Sequence, residues 1–318
     1  MNFLKRLFTN SDMTSEEIQQ KNAQKNFDIL KYDGIRAQKI GKWLYAEKCF
    51  KEAIRIQPEI ETMSLLIQTS IQLNKLEQAH NVLIQLVTFA PQHIQGYIDL
   101  ARVCYLEEKY DEMLANAQEA TNIAPTNEQA YFLQAQAYYK LGDLLNSIVV
   151  LTQAISKKEN FSEALLMRGR VLAEMKQYKE AQADVETLLK QDSNDEETLL
   201  LAGEIQAHQE NNREAMAFFE KVIELNPFSE KAYEQIALLY ECTQQWEQAI
   251  DKLNEAIEIN ETASLYQLRG RIKLEKGDKD GSLADIKKAL ELNPNTESAI
   301  NGQFNNFDSL YKNNNPLG

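Results

Sequence analysis

The residues able to do covalent or metal chemistry in this chain are few. Histidine occurs three times, as His80, His93 and His208, and cysteine three times, as Cys49, Cys104 and Cys242. A zinc site read from sequence asks for Cys and His at short paired spacings, and a nucleophilic pair asks for a base within reach of a thiol or hydroxyl. Neither pattern is written here. Each histidine falls at a helix or loop position where an exposed polar residue is ordinary, and Cys104 falls in an apolar stripe, where a cysteine acts as a small hydrophobe. The glycines stand singly, so there is no glycine-rich loop to cradle phosphate. A triad assembled from residues far apart leaves no such pattern. The expectation is a chain that is not an enzyme and takes no metal or cofactor.

A sharper signal comes from two near copies, Met167-Arg168-Gly169-Arg170 and Leu268-Arg269-Gly270-Arg271. Each is followed, sixteen residues after its first arginine, by an aspartate, Asp184 and Asp285. Two antiparallel helices joined by a short turn would bring those groups together, so Arg168–Asp184 and Arg269–Asp285 are expected to be ion pairs within a helix pair. Arg170 and Arg271 sit about 200° farther round the helix, at 100° per residue, which leaves them free for a ligand.

Helices are what the composition asks for. Glycine (11) and proline (6) are scarce in 318 residues, so little interrupts regular structure, while 43% hydrophobic residues give enough apolar surface to offset the entropy of ordering. A net charge of −14 argues against nucleic acid, whose phosphates need clustered Lys and Arg. An odd number of scattered cysteines fits a reducing compartment, and cytoplasmic placement is expected. No apolar run approaches the roughly 20 residues of a membrane-spanning helix. At the N-terminus, Lys5 and Arg6 interrupt the apolar core that a signal peptide would need.

The prolines set the period. Pro58, Pro91, Pro125, Pro227 and Pro294 are separated by 33, 34, 102 and 67 residues, all multiples of about 34. Proline cannot continue a helix, so each marks the end of a unit. Cutting on that period places units at 27–59, 60–93, 94–127, 128–161, 162–195, 196–229, 230–262 and 263–296. The eighth position then reads Gly34, Ile67, Ala101, Ala135, Gly169, Gly203, Ala237 and Gly270, and the twentieth reads Ala46, Ala79, Met113, Ser147, Ala181, Ala215, Ala249 and Ser282. Small columns of this kind mark where two helices of one unit cross closely. Position 24 is larger, as in Phe50, Leu83, Leu151 and Phe219, and fills the space that the small residues leave. Turn signals such as Gly41, Gly142-Asp143 and Gly277-Asp278 divide each unit into two helices of about 12 to 14 residues.

With Ala46, Phe50, Ala53 and Pro58 in the first unit, and Ala215, Phe219, Val222 and Pro227 in the sixth, the chain resembles the tetratricopeptide repeat family over about 85% of its length. The closing proline is absent after units four, five and seven, where Glu159, Ser193 and Glu261 stand. The resemblance implies an all-α, right-handed superhelical solenoid of antiparallel helix pairs, about eight repeats with a C-terminal capping helix. It also implies that positions 2, 5, 9, 12 and 13 of each first helix face a concave groove. Position 5 is apolar in four successive units, as Ile98, Phe132, Leu166 and Leu200, between Ser64 and Glu234. Arg102, Gln136 and Arg170 at position 9 and Tyr105 and Tyr139 at position 12 edge that row. These nine residues are the expected binding site for a peptide or partner protein, although position 5 could instead shield the next repeat. Members of the family that bind chaperone tails use Lys and Asn at positions 5 and 9, then Asn, Lys and Arg on the next two first helices. Lys31 is followed by Ile35 and Arg102 by Gln136, so a chaperone C-terminal tail is not the expected ligand.

The ends carry their own expectations. Thr14-Ser15-Glu16-Glu17 has the spacing of a capping box that starts a helix running into the first unit. Ile300, Phe304, Phe307 and Tyr311 form one stripe of a capping helix within 297–318. Residues 1–8 combine Phe3, Leu4, Leu7 and Phe8 with Lys5 and Arg6, and could touch a membrane surface weakly. The function expected is a noncatalytic scaffold that holds a peptide or protein partner. The alternatives are a self-assembling or membrane-tethered subunit, or a regulatory array of a multi-subunit enzyme.

Overall fold

The computed structural model describes residues 14–293. Among these are sixteen α-helices and no strand. In chain order they pair as α1 (Ser15–Lys39) with α2 (Trp43–Ile56), α3 (Ile60–Gln72) with α4 (Leu76–Phe89), α5 (Ile94–Leu106) with α6 (Tyr110–Ile123), α7 (Glu128–Lys140) with α8 (Leu144–Lys157), α9 (Ser162–Glu174) with α10 (Tyr178–Gln191), α11 (Glu196–His208) with α12 (Asn212–Leu225), α13 (Glu230–Cys242) with α14 (Trp246–Ile259), and α15 (Ala263–Lys276) with α16 (Lys279–Leu292). The fold is all-α, built of antiparallel helix pairs repeated every 33 or 34 residues. It divides into two compact units, Met1–Ala164 and Leu165–Gly318. The expected capping helix at 297–318 and the segment 1–8 lie outside the described residues.

The first helix starts where its capping box predicts. The Thr14 hydroxyl accepts from the Glu17 amide at 3.2 Å, and the Glu17 carboxylate accepts from the Thr14 amide at 2.7 Å. That helix runs 25 residues, longer than the other first helices, because nothing between Ser15 and Phe27 breaks it.

Every turn inside a pair is built alike. The fifteenth residue of each repeat adopts positive φ, between 55° and 98°. The residue after it donates its amide to the carbonyl five positions back, as Lys42 does to Ala37 at 2.9 Å and Lys109 to Cys104 at 2.8 Å. This is the Schellman closure of a helix C-terminus. Glycine fills the position at Gly41, Gly142 and Gly277, whereas Asn74, Glu108, Lys176, Glu210 and Gln244 fill it elsewhere. A side chain in that conformation costs roughly 1–2 kcal/mol, which the closing bonds and the packed pair around it offset. Only the glycine turns are visible as turns in the sequence.

Helices cross where the columns are small. A Cβ on Gly34 would stand 2.5 Å from the ring of Phe50, and one on Gly203 would stand 2.4 Å from the ring of Phe219. The large residue at position 24 therefore lies directly on the bare backbone at position 8. Phe50, Leu83, Leu151, Phe219 and Leu253 are all fully buried in this role.

Buried charge follows the same phase logic. Glu47, on α2, is buried and receives Lys51 and Lys75, each at 2.7 Å. Burial pushes its carboxyl up, but the two ammonium groups outweigh that and hold it below its ordinary value of 4.5. A depressed carboxyl contributes stability that is present above the unfolded value and lost as pH falls through the folded one. We expect Glu47→Gln to destabilise the protein by about 1–2 kcal/mol at neutral pH through loss of two charge-assisted bonds. The deficit should shrink as pH falls from the ordinary carboxyl value of 4.5 through the lowered folded one. Urea midpoints measured across that range for both proteins check this, and a deficit independent of pH would contradict it.

Candidate functional site

The nine residues expected to line a groove fall on the first helices α5, α7, α9 and α11, and they do not share one environment. Ile98 and Leu200 are only 3% and 7% exposed and belong to apolar clusters with neighbouring helices. At those two positions the side chain shields the adjacent repeat and offers little to a partner. Phe132 is half-buried, with its ring 5.4 Å from that of Phe161, and Leu166 is half-buried as well.

The polar members keep more surface. Arg102 is exposed and holds Asp99 at 3.3 Å, one turn away. Tyr105 meets Tyr110 edge-on at 6.2 Å, and the Lys140 ammonium lies 5.5 Å from its ring centre. Gln136 is half-buried, and Tyr139 is exposed. On the second unit, Arg170 pairs with Glu197 at 3.0 Å and Arg271 holds Glu241 through two bonds of 2.6 and 2.9 Å. Both arginines thus already hold a carboxylate, Arg170 in a pair that stays exposed. Each reaches an acidic group on the neighbouring first helix that sequence spacing alone does not register. Burial raises the Glu241 carboxyl even with Arg271 opposing it.

A row that the sequence reading did not assemble stands out on the first unit. Position 12 of the second repeat is Ile71, 41% exposed, and position 12 of the fourth is Tyr139, 38% exposed. Between them the third repeat presents Tyr105 and, at position 13, Leu106, 55% exposed. Large apolar groups thus reach solvent at the C-terminal ends of three successive first helices, next to Arg102 and Gln136.

The two Arg–Asp pairs form as spacing implies. Arg168 grips Asp184 with Nε at 2.8 Å and Nη2 at 2.5 Å, and Arg269 grips Asp285 at 2.9 and 2.6 Å. Both aspartates are buried. Lys273 adds a second cation to Asp285 at 2.8 Å, and Asn254 accepts from Arg269 at 2.7 Å. These arginines tie helix pairs together.

The histidines depart from expectation. His80 is buried, not exposed, because position 21 of the second repeat faces the third. Its Nδ1 lies 2.6 Å from Glu107, and its Nε2 lies 3.4 Å from Glu112. The thiol of Cys104 completes the group: one ligand atom each from His80, Cys104 and Glu112 lie within 4.8 Å of one another. Burial pushes that thiol up to about 11, helped by the negative charge of Glu112 and Glu107. The three residues are 24 and 8 positions apart, a spacing no short metal motif contains. Cys104 itself is fully buried in the apolar core, as its stripe position implied. His208 stacks on Tyr178 at 5.3 Å.

Open clefts occur elsewhere. One of about 460 Å³ is lined by Lys51, Arg55, Leu66, Gln78 and Val82 on the first unit. Another of about 420 Å³ is lined by Arg213, Met216, Leu239 and Tyr240 on the second. Both lie largely along second helices and include none of the nine expected residues.

Tetratricopeptide repeat family models match residues 128–160, 166–230 and 263–296. Hsp70-Hsp90 organizing protein 1 of Glycine max is 28% identical over 155 residues, covering 49% of this chain and 27% of that protein. Hsp70-Hsp90 organizing protein 3 of Arabidopsis thaliana is 26% identical over 151 residues, covering 46% of this chain and 26% of that one. The chain thus spans about a quarter of the length of these curated relatives. Among solved structures, a tetratricopeptide repeat protein from Parabacteroides merdae superposes with a TM-score of 0.59 at 20% identity, covering 87% of this chain and 97% of that one. The Cut9-Hcn1 hetero-tetramer of APC/C gives 0.56 at 14% identity, covering 82% and 52%.

Proposed function

Because this chain is a tetratricopeptide repeat protein, we propose that it is a noncatalytic scaffold and that a peptide or partner protein lies against the first-helix face of repeats two to four. The observation that supports this reading is the row of exposed Ile71, Leu106 and Tyr139, with half-buried Tyr105 between them. Three successive repeats leave a large apolar group in water at the C-terminal end of the first helix, at position 12 or 13, where a solvated surface would carry charge. Phe132 and Gln136 extend the row, and Arg102 supplies a charged rim that orients a partner more than it holds it. On the second unit, Leu166 and Arg170 occupy the positions that correspond to Phe132 and Gln136. Ile98 serves beneath that surface as packing, while Leu200 packs inside the second unit.

The relatives named as Hsp70-Hsp90 organizing proteins bring a chaperone partner into view. The basic groups at the relevant positions here are already engaged: Lys31 is buried against Glu59 at 2.8 Å and Glu61 at 2.5 Å, and Arg102 holds Asp99. An acidic tail would have to displace those carboxylates, so an apolar or aromatic segment suits this face better. No helix among the described residues is long and apolar enough to cross a membrane. With two of its three thiols buried and none paired, the chain suits a reducing compartment such as the cytoplasm.

The test is a competition pull-down from native extract, read by mass spectrometry, with wild type, Tyr139→Ala, Phe132→Ala and the exposed control Lys48→Ala at matched folding. Lys31 is unsuited as a control, because its substitution would leave the partly buried Glu59 without its cation. We expect Tyr139→Ala and Phe132→Ala each to weaken capture about 5-fold or more, and Lys48→Ala to change nothing, because apolar anchors typically cost about 1 kcal/mol or more when truncated. Equal retention by Tyr139→Ala, Phe132→Ala and wild type would move the binding site to the second helices and their clefts.

A further inference from the structure

We propose that the junction of the second and third repeats is a zinc site, with His80, Cys104 and Glu112 as ligands, Glu107 orienting the imidazole, and a water in the fourth position. Three different helices, α4, α5 and α6, deliver the donors, and all three pack into one apolar core. One ligand atom from each residue already lies within 4.8 Å of the others. Around a tetrahedral zinc with bonds of about 2.0–2.3 Å, ligand atoms stand roughly 3.3–3.7 Å apart. The Nε2 of His80 and the carboxylate of Glu112 are at 3.4 Å. Closing the site asks only for small side-chain movements by residues on fixed helices.

The surroundings are those a metal site needs. Glu107 sits 2.6 Å from Nδ1 of His80, so it can accept that proton, fix the tautomer and turn Nε2 towards the ion. Lys109 neutralises Glu107 at 3.1 Å. A divalent ion then balances the Cys104 thiolate and the Glu112 carboxylate, which leaves the whole group neutral. On binding, the ion replaces the thiol proton, which passes to solvent. The exposed carboxylate of Glu112 gives the ion its way in, while His80 and Cys104 are buried behind it.

This donor set is peculiar to one junction. The three positions are 21 of one repeat and 11 and 19 of the next. The preceding junction places Glu47, Ser70 and Gln78 there, and the junctions after the fifth, sixth and seventh repeats place Gln182, Gln206 and Glu214, then Met216, Tyr240 and Gln248, then Ile250, Lys273 and Gly281. Packing of the fold does not require ligand-type residues at these positions. The competing account is that His80 only bridges Glu107 and Glu112, with the thiol as filler.

The experiment uses the full chain carrying Cys242→Ser, to remove the exposed thiol, stripped with chelator and titrated with cobalt(II). We expect one equivalent to bind with tetrahedral visible bands and a thiolate-to-cobalt band in the near ultraviolet, both displaced by zinc. Cys104→Ser should abolish the thiolate band. Glu112→Gln should loosen the ion at least about 10-fold, and Glu107→Gln about 10- to 100-fold. Glu112 is exposed, so its variant folds and decides the matter if Cys104→Ser does not. No tetrahedral spectrum, a spectrum lacking the thiolate band, or an affinity unchanged by Glu112→Gln would each overturn the site in favour of a His80 that only bridges the two carboxylates.

Discussion

Phe219→Ala will destabilise the second unit by about 3–5 kcal/mol, as expected for removing a fully buried aromatic ring that its surroundings cannot collapse onto. Phe219 lies in a cluster with Leu199, Ala215, Val222, Ala232 and Ile236, drawn from three helices, so a cavity there is felt by two repeats at once. The reciprocal change is more discriminating. In an exposed helix, Gly→Ala gains about 1 kcal/mol of propensity. At Gly203 the added Cβ would stand 2.4 Å from Cε1 and 2.6 Å from Cζ of Phe219, so the ring must move, and overpacking of this kind costs about 1–3 kcal/mol. We expect the clash to win and Gly203→Ala to be less stable than wild type. In the Phe219→Leu background the sign should reverse, because the smaller side chain leaves room. Gly34 and Phe50 repeat the geometry in the first repeat and supply an independent copy of the experiment. Urea unfolding followed by circular dichroism reads both, and a Gly203→Ala protein at least as stable as wild type would show that the ring is not held against the backbone.

Asp184→Ala should cost about 2–4 kcal/mol. Removing one partner of a buried ion pair typically costs about 3–5 kcal/mol, and the figure is reduced here because the Arg168 side chain keeps 20% of its surface and can recover some hydration. Asp285→Ala should cost more than Asp184→Ala, since it strands both Arg269 and Lys273. The pair itself contributes far less than its breakage suggests. Arg168→Met with Asp184→Leu, which replaces both charges with apolar groups of similar length, should recover most of the loss. A double-mutant cycle on urea midpoints separates these terms. Strict additivity of the two single changes would mean the guanidinium and carboxylate do not interact in solution.

These experiments divide along the line between what is local and what is not. The repeat period, the small and large columns and the Arg–Asp spacing are relations inside a single 34-residue unit. A helix has a fixed rise and rotation, so residue number is enough to say that position 8 meets position 24 and that position 7 meets position 23. The helix pairs, the Thr14 capping box and both ion pairs were legible for that reason. Even within the unit, the left-handed residue at position 15 was legible only where glycine marks it. Glu108, Lys176 and Glu210 take the same conformation because the closing hydrogen bonds and the crossing of the two helices hold them there.

Contacts between units needed the tertiary structure. Whether Ile98 and Leu200 face solvent or the next repeat depends on how far one pair rotates against its neighbour, which no column of letters records. The same rotation joins Arg170 to Glu197 and Arg271 to Glu241, pairs set 27 and 30 residues apart. It also carries His80 out of water and sets it beside Cys104 and Glu112. By itself the sequence determined the helix pair and its interior, because those follow from the geometry of one helix. Only the tertiary structure decided which side chains the stacked pairs leave exposed and which they bring together, because that depends on the angle between helices that are distant in the chain.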